Sequence, residues 1–329
     1  MLASLFVSAQ ILKLDLSQDE ATCVDIIRRA CSEQGFMIIT NHGVPQSLID
    51  DMFAKQRAFF SLPLEAKMAI KTDSNNRGYT PMRSETLDPE RSRVETHEGL
   101  YFGRDIPLED EEAKKPLHGP NQYPSEALVP GYKETTMRYH AACLDLGLRL
   151  VRLLSLSLGL PGDYLGRSFA HPIASLRPLH YEATPSRLED GVVGAGAHTD
   201  YGCLTLLLTD DCPGLQLCLD GTWHDVPPSN SEFVFNIGDM LENWTNGRYT
   251  STLHRVVNAT GRERYSIPFF LEPSFDASVA PLDVCCSQDN PPRFPTVTAG
   301  DHLLDKYRKT HKGFNQSDAN KKATQYEHA

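Results

Sequence analysis

The chain has 329 residues and a mass of 36.7 kDa, and 40% of its residues are hydrophobic, enough to bury a sizeable core. Its 43 acidic residues outnumber 32 basic ones, and the net charge of −11 disfavours phosphate backbones and anionic membrane surfaces as partners. No window approaches the run of about 18 to 20 apolar residues that a membrane-spanning helix requires, so a cytoplasmic protein with no nucleic-acid or membrane partner is expected.

In chain order, MLASLFVSAQIL lacks the basic start of a secretory signal and reads as an irregular lead-in or first strand. Ser17, followed by Gln18, Asp19 and Glu20, resembles an N-cap with an acidic first turn. Cys23, Ile26, Ile27 and Ala30 recur at helical spacing up to a stop near Gln34-Gly35. FMIIT (36–40) is a short β-rich run. NHGVP then leads into an amphipathic helix over 46–60, which breaks at Leu62-Pro63. Residues 71–130 show no sustained periodicity. A loop of that length is expected to form strands or a lid near a pocket, and residues 109–118 read equally well as a solvated acidic connection. Residues 132–158 form a long apolar helix that stops at Gly159-Leu160-Pro161-Gly162. The short runs ASLRPLHY, CLTLLLT, GLQLCL, TWHDV, EFVFNI, TLHRVV and RYSIPFFL follow, separated by turn residues, and indicate an antiparallel jelly roll or related double sheet. A closing helix over 299–310 and a polar tail from Asn315 complete the chain. Eight cysteines without a C-x-x-C pair read as reduced, mostly buried thiols rather than a structural zinc site.

GAGAHTDYG places His198 and Asp200 two apart at the head of a β-rich run, where a strand would point both to one face. Alone, an HxD pair is weak evidence of a metal. Downstream, STLHRVVNATGRERYSIPFF presents His254, a turn at 258–261, and Arg264 with Ser266. If that turn closes a hairpin, His254 and Arg264 are neighbours across it. Two His and one carboxylate form a facial triad that leaves three positions of an octahedral ion open, the arrangement suited to non-haem Fe(II). Such a site carries a charge of about +1 and suits an anionic chelator. Arg264 and Ser266 share a strand face and present a guanidinium fork with a hydroxyl, a clamp for a carboxylate.

The order HTD, LHRVVN, RYS, with LRPLHY upstream and GLQL and NIGDMLENWTNGRY between, resembles the Fe(II)- and 2-oxoglutarate-dependent dioxygenases of the isopenicillin N synthase-like group. QGFMIITNHGVP, FFSLPLEAK and NNRGYTP extend the resemblance over nearly the whole chain. It implies an α+β fold: a double-stranded β-helix (jelly-roll) core over 165–295, flanked by mostly N-terminal helices, with a helical and mixed part at 1–130, all in one domain spanning 1–329. It implies that His198, Asp200 and His254 bind iron and that Arg264 and Ser266 hold the distal carboxylate of 2-oxoglutarate. Tyr181 matches a position lining the cosubstrate pocket, although Glu182 stands where the family has Pro. It implies further that O2 and 2-oxoglutarate are consumed, with ascorbate as accompanying reductant, and that succinate and CO2 are released as a small-molecule substrate is oxidised, most simply hydroxylated. An iron-dependent oxidase or an ethylene-forming enzyme on the same scaffold are the alternatives.

Arg177, Phe270, Tyr79 and Tyr101 are the candidates for the substrate side. Arg177 resembles a substrate-contacting Arg of thymine hydroxylase-like relatives, and its plainer reading is a salt bridge within the sheet. A buried Arg among aromatic walls favours a small polar or anionic heterocycle or acid. Gly202, Gly214 and Gly238 read as turn or bulge glycines, Trp223 and Trp244 as packing residues, His42 as scaffold, and His180 and His224 as non-ligands. A monomer or weak dimer is expected.

Overall fold

The computed structural model describes residues 11–310. The lead-in before Ile11 and the tail from Asn315 lie outside the described residues. The first helix, Glu20–Glu33, is capped by Asp19 and not by Ser17. Asp19 has extended backbone (ψ 156°) and accepts the Thr22 amide at 3.0 Å, whereas Ser17 donates to the Asp15 carboxylate. This helix stops where Gly35 takes φ +65°, as its composition indicates. Helices Gln46–Phe60 and Tyr132–Ser157 follow. The long helix buries a stripe that includes Tyr139, Cys143, Leu146, Leu150 and Leu154, residues three and four apart. That stripe packs on both N-terminal helices and on the back of the strand Arg264–Ser274.

Two sheets enclose the centre. The larger has nine strands among the described residues. Along it run Lys13–Asp15, Phe36–Thr40, Phe233–Ile237, Leu204–Thr209, Arg264–Ser274, Leu179–Tyr181, His97–Tyr101 and Gly78–Thr80, with Pro172–Leu176 paired to the far half of Arg264–Ser274. The smaller runs Thr222–Asp225, Leu215–Leu219, His254–Val256, Ala195–His198. All pairings in the two are antiparallel except Lys13–Asp15 on Phe36–Thr40. ASLRPLHY is broken at Arg177-Pro178, because Pro178 has no N–H to give a ladder. Its two halves pair with successive stretches of one long strand.

The hairpin expected between His254 and Arg264 does not form. Asn258 does organise a turn, its Oδ1 accepting from the Gly261 amide at 3.0 Å with Gly261 at φ +67°. That turn carries the chain from the smaller sheet to the larger. The reason lies in the edges: His254–Val256 is already flanked by Leu215–Leu219 and Ala195–His198, and Arg264–Ser274 by Leu204–Thr209 and Leu179–Tyr181. Neither strand has a side left for the other.

The irregular region 71–130 contributes strands Gly78–Thr80, Val94–Glu95 and His97–Tyr101, and the segment between the first two lies over the cavity, with Leu87 in its lining. A Cβ on Gly196 would lie 2.6 Å from Ser92 Oγ and 2.7 Å from Glu95 Oε1, so the small residues before His198 admit this covering loop. The acidic stretch is partly ion-paired, Glu112 with Arg104 at 2.9 Å. The closing helix is Ala299–Thr310, as its composition indicates, and its Leu303 and Tyr307 face the cavity.

Candidate active site

His198 ends the strand Ala195–His198, and His254 begins the strand beside it. The two are direct cross-strand partners, with ring centroids 4.3 Å apart. Asp200 lies just beyond the strand, so the two-residue spacing does not act through strand periodicity. Its loop is braced instead by the start of the helix Asp239–Trp244: the Asp239 amide donates to Asp200 O at 2.8 Å and the Met240 amide to Gly202 O at 3.1 Å. A Cβ on Gly238 would sit 2.5 Å from Gly202 O and 2.8 Å from Asp200 O, and Gly238 has φ −111°. Close approach, not a turn conformation, requires glycine there.

Asp200 Oδ1 stands 3.5 Å from His254 Nε2 and 3.7 Å from His198 Nε2, and one ligand atom from each residue falls within 4.8 Å of the others. His198 Nδ1 faces the Gly196 carbonyl at 2.8 Å and His254 Nδ1 the Thr252 carbonyl at 3.1 Å. A carbonyl only accepts, so each Nδ1 carries the hydrogen and each Nε2 lone pair points to the common centre. Thr205 and Asn236 donate to Asp200 Oδ2, Asn236 at 2.7 Å, which leaves Oδ1 for a metal. Burial and the neighbouring His254 push the His198 pKa down to about 4. Burial opposes ionisation of Asp200, but the neighbouring His254 and His198 and the hydrogen bond from Thr205 outweigh it and hold the carboxyl below the usual range. For His254 the order is the same: burial lowers its pKa, and the Asp200 carboxylate more than restores it. A neutral His198 and an ionised Asp200 are the forms a divalent cation needs.

The same cavity is lined by Arg264 and Ser266 from the larger sheet. Arg264 is 1% exposed, and its Nε and Nη1 have no hydrogen-bond partner among the described residues. The Tyr181 ring lies under the guanidinium, 4.8 Å from its carbon, and Arg264 and Tyr181 are register partners. Gln56 braces this corner from the helix Gln46–Phe60, donating to Leu179 O at 2.7 Å and Ser266 O at 3.0 Å. A buried guanidinium with two unsatisfied donors is costly unless an acceptor anion completes it.

Of the substrate-side candidates, Arg177, Phe270 and Tyr101 reach the cavity. Arg177 forms a buried ion pair with Glu85 of the covering loop and stacks its guanidinium 4.3 Å from the Tyr101 ring centroid. Tyr79 is not brought there. It faces the helices instead, fully buried against Phe59, with its hydroxyl on the Glu98 carboxylate. Glu98 also takes Lys67 at 2.7 Å and His180 at 2.8 Å, so His180 is committed to that network. His42 is scaffold: its Nδ1 accepts the Val44 amide and its Nε2 donates to Ser231 O. Trp244 is buried against Phe169, and Trp223 lies under Arg255.

Thr205, Asn236 and Glu272 are cavity residues that sequence reasoning missed. The last two had a signal, a polar residue inside the otherwise apolar runs FVFNI and IPFFLEP. Burial, with Asp200 nearby, raises the Glu272 carboxyl well above its ordinary range.

Residues 10–126 match the family described as non-haem dioxygenase in morphine synthesis N-terminal, and residues 174–273 match the 2OG-Fe(II) oxygenase superfamily. The 2-oxoglutarate-Fe(II) type oxidoreductase hxnY of Emericella nidulans is 37% identical over 308 residues, covering 89% of this chain and 86% of its own. Kihadalactone A synthase LFS of Citrus sinensis is 35% identical over 291 residues, 86% of each chain. A full-length Neurospora crassa protein, solved in complex with alpha-KG, superposes with a TM-score of 0.80 at 26% identity, covering 92% of this chain and 98% of its own. The chain belongs to the 2OG-Fe(II) oxygenase superfamily, with its α+β, jelly-roll-centred architecture. It is an iron- and 2-oxoglutarate-dependent dioxygenase of small molecules.

Proposed function

We propose that His198, Asp200 and His254 hold the iron, that Arg264 and Ser266 receive the distal carboxylate of 2-oxoglutarate, and that Tyr181 forms the floor under that clamp. Arg177, Phe270 and Tyr101 then line the substrate side, and the outcome is hydroxylation of a C–H bond. The observation that carries this reading is the pair of unsatisfied nitrogens on buried Arg264, inside the cavity that holds the triad. Two imidazoles and one carboxylate suit Fe(II) and leave three positions for cosubstrate and O2.

Bound iron supplies O2 activation, with 2-oxoglutarate leaving as succinate and CO2. The protein's own groups do the rest. The carbonyls of Gly196 and Thr252 fix the imidazole tautomers, Thr205 and Asn236 aim Asp200, and Arg264 sets the cosubstrate's register. The covering loop and the helix Ala299–Thr310 limit water at the reacting carbon.

The N-terminal part and the core act as one domain, since Phe36–Thr40 is a strand of the same sheet as Phe233–Ile237. Among the described residues no helix is long and apolar enough to cross a membrane. We read the protein as cytoplasmic, in keeping with its eight cysteines, all free thiols of the kind a reducing compartment maintains, and as a monomer or weak dimer.

The test is anaerobic reconstitution with Fe(II) and 2-oxoglutarate, read by the visible charge-transfer absorption of the chelate, then O2, ascorbate and a small-molecule library read by succinate release. Substrate-stimulated succinate is expected. Substrate oxidation without succinate would establish the oxidase alternative, and ethylene in the headspace the self-consuming one.

A further inference from the structure

Along the strand Arg264–Ser274, the alternate residues Arg264, Ser266, Pro268, Phe270 and Glu272 line one cavity. The cosubstrate clamp occupies its beginning. Glu272 stands toward the other end, 4% exposed, and its Oε2 has no hydrogen-bond partner among the described residues. Room is made for this carboxyl: a Cβ on Gly202 would lie 2.2 Å from Glu272 Oε1, so the glycine after the HTD motif is a clearance for Glu272 and not simply a turn residue. The contrast with Glu98 is plain, because that buried carboxylate is surrounded by Lys67, Tyr79 and His180. A buried carboxyl oxygen without a partner carries an unmet desolvation cost. Arg264 presents the complementary deficit at the cosubstrate end.

We propose that Glu272 orients the substrate by taking a hydrogen bond from its N–H or O–H group, and that the substrate is an uncharged molecule with a largely apolar body and one such donor. A lactam, an imide, an alcohol or a phenol has that chemistry. Charge distribution argues against the anionic acid that Arg177 indicated from sequence. Arg177 is matched by Glu85, so its charge is already met and calls for no anionic substrate. Phe270 and Tyr101 supply the apolar walls.

This assignment rests on the iron and 2-oxoglutarate reading, and one experiment separates the two. Full-length protein loaded with redox-inert Zn(II) and 2-oxoglutarate is titrated, by ligand-observed NMR, with two matched probe pairs: quinolin-2(1H)-one and its N-methyl derivative, and 4-ethylphenol and its methyl ether. The donor-bearing member is expected to bind about tenfold more tightly, the size of one buried hydrogen bond. Glu272→Leu should abolish that preference, Glu272→Gln should keep it in reduced form, and both should leave 2-oxoglutarate affinity unchanged. Equal binding of both members, no binding by either pair, or an undiminished preference in Glu272→Leu would overturn the proposal. If Glu272→Leu fails to fold, discrimination by the unaltered protein decides. A protein that keeps the donor preference but shows no charge-transfer band with Fe(II) and 2-oxoglutarate would overturn the cosubstrate reading and leave the Glu272 assignment standing.

Discussion

Asp200 can serve as a one-oxygen ligand because its second oxygen is already held by Asn236 and Thr205. Asn236→Ala removes one of those two partners, leaving Thr205, and is expected to weaken Fe(II) binding by about 10- to 100-fold with the fold retained, the usual penalty for removing an outer partner of a metal ligand. Anaerobic Fe(II) titration beside circular dichroism checks both halves of that statement. At the other end of the cavity, Arg264→Ala removes the charge-assisted donors, each worth about 1.5–3 kcal/mol, so the 2-oxoglutarate requirement should rise roughly ten- to hundredfold. Steady-state titration of 2-oxoglutarate measures this, and a change confined to substrate affinity would remove Arg264 from the clamp. The residues we propose as ligands and clamp were legible in HTD, LHR and RYS, because the chemistry belongs to the side chains themselves. Their partners were not: a polar residue inside FVFNI marks Asn236 as unusual, but nothing local marks it or Thr205 as facing Asp200.

Elements meet through a few buried polar contacts, and Glu98 is the densest of them. It joins the strand His97–Tyr101 to Lys67 of the helix Leu64–Met68, to Tyr79 and to His180. Burial opposes its ionisation, but the hydrogen bonds from His180, Lys67 and Tyr79 outweigh it and hold the pKa below the ordinary 4.5. The folded carboxyl therefore binds its proton less readily than the unfolded one. Its stabilisation is complete above pH 4.5 and is lost as the pH falls below that value. Urea unfolding at pH 7, 5 and 4 should show the decline, and Glu98→Leu should flatten it. That variant should also cost about 3–5 kcal/mol at pH 7, since it strands the buried Lys67 ammonium. Helix and strand extents were readable from period and punctuation, down to the helix Gln46–Phe60. The cap of the first helix was misread by two residues, since Ser17 and Asp19 are both capable caps and only backbone geometry chooses. Tyr79 was misassigned for a similar reason: an aromatic in a loop-rich segment looks available until its short strand is placed and turns it toward the helices.

At the scale of the molecule, the site exists only where the two sheets face each other, so ligands that use it bind the folded state alone. Metal with 2-oxoglutarate at a hundredfold excess over its dissociation constant should add about 2.7 kcal/mol of stability. A melting series with Zn(II), with 2-oxoglutarate and with both measures that gain, and Arg264→Ala should lose the 2-oxoglutarate increment while keeping the metal's. The same geometry explains why the expected hairpin does not form. His254 and Arg264 are close in sequence and share a cavity, yet they reach it from opposite sheets. Local hydrogen bonding, side-chain period and ligand chemistry are properties of short segments, and so the sequence alone determined the main helices, the core strands and which residues are candidates for the HxD…H triad and the RxS clamp. Which strand lies beside which is a competition among distant edges, settled by burial across the whole chain. That competition decided the partition into two sheets, the cross-strand pairing of His198 with His254, the commitment of Arg177 to Glu85, and the unpartnered carboxyl of Glu272 at the substrate end.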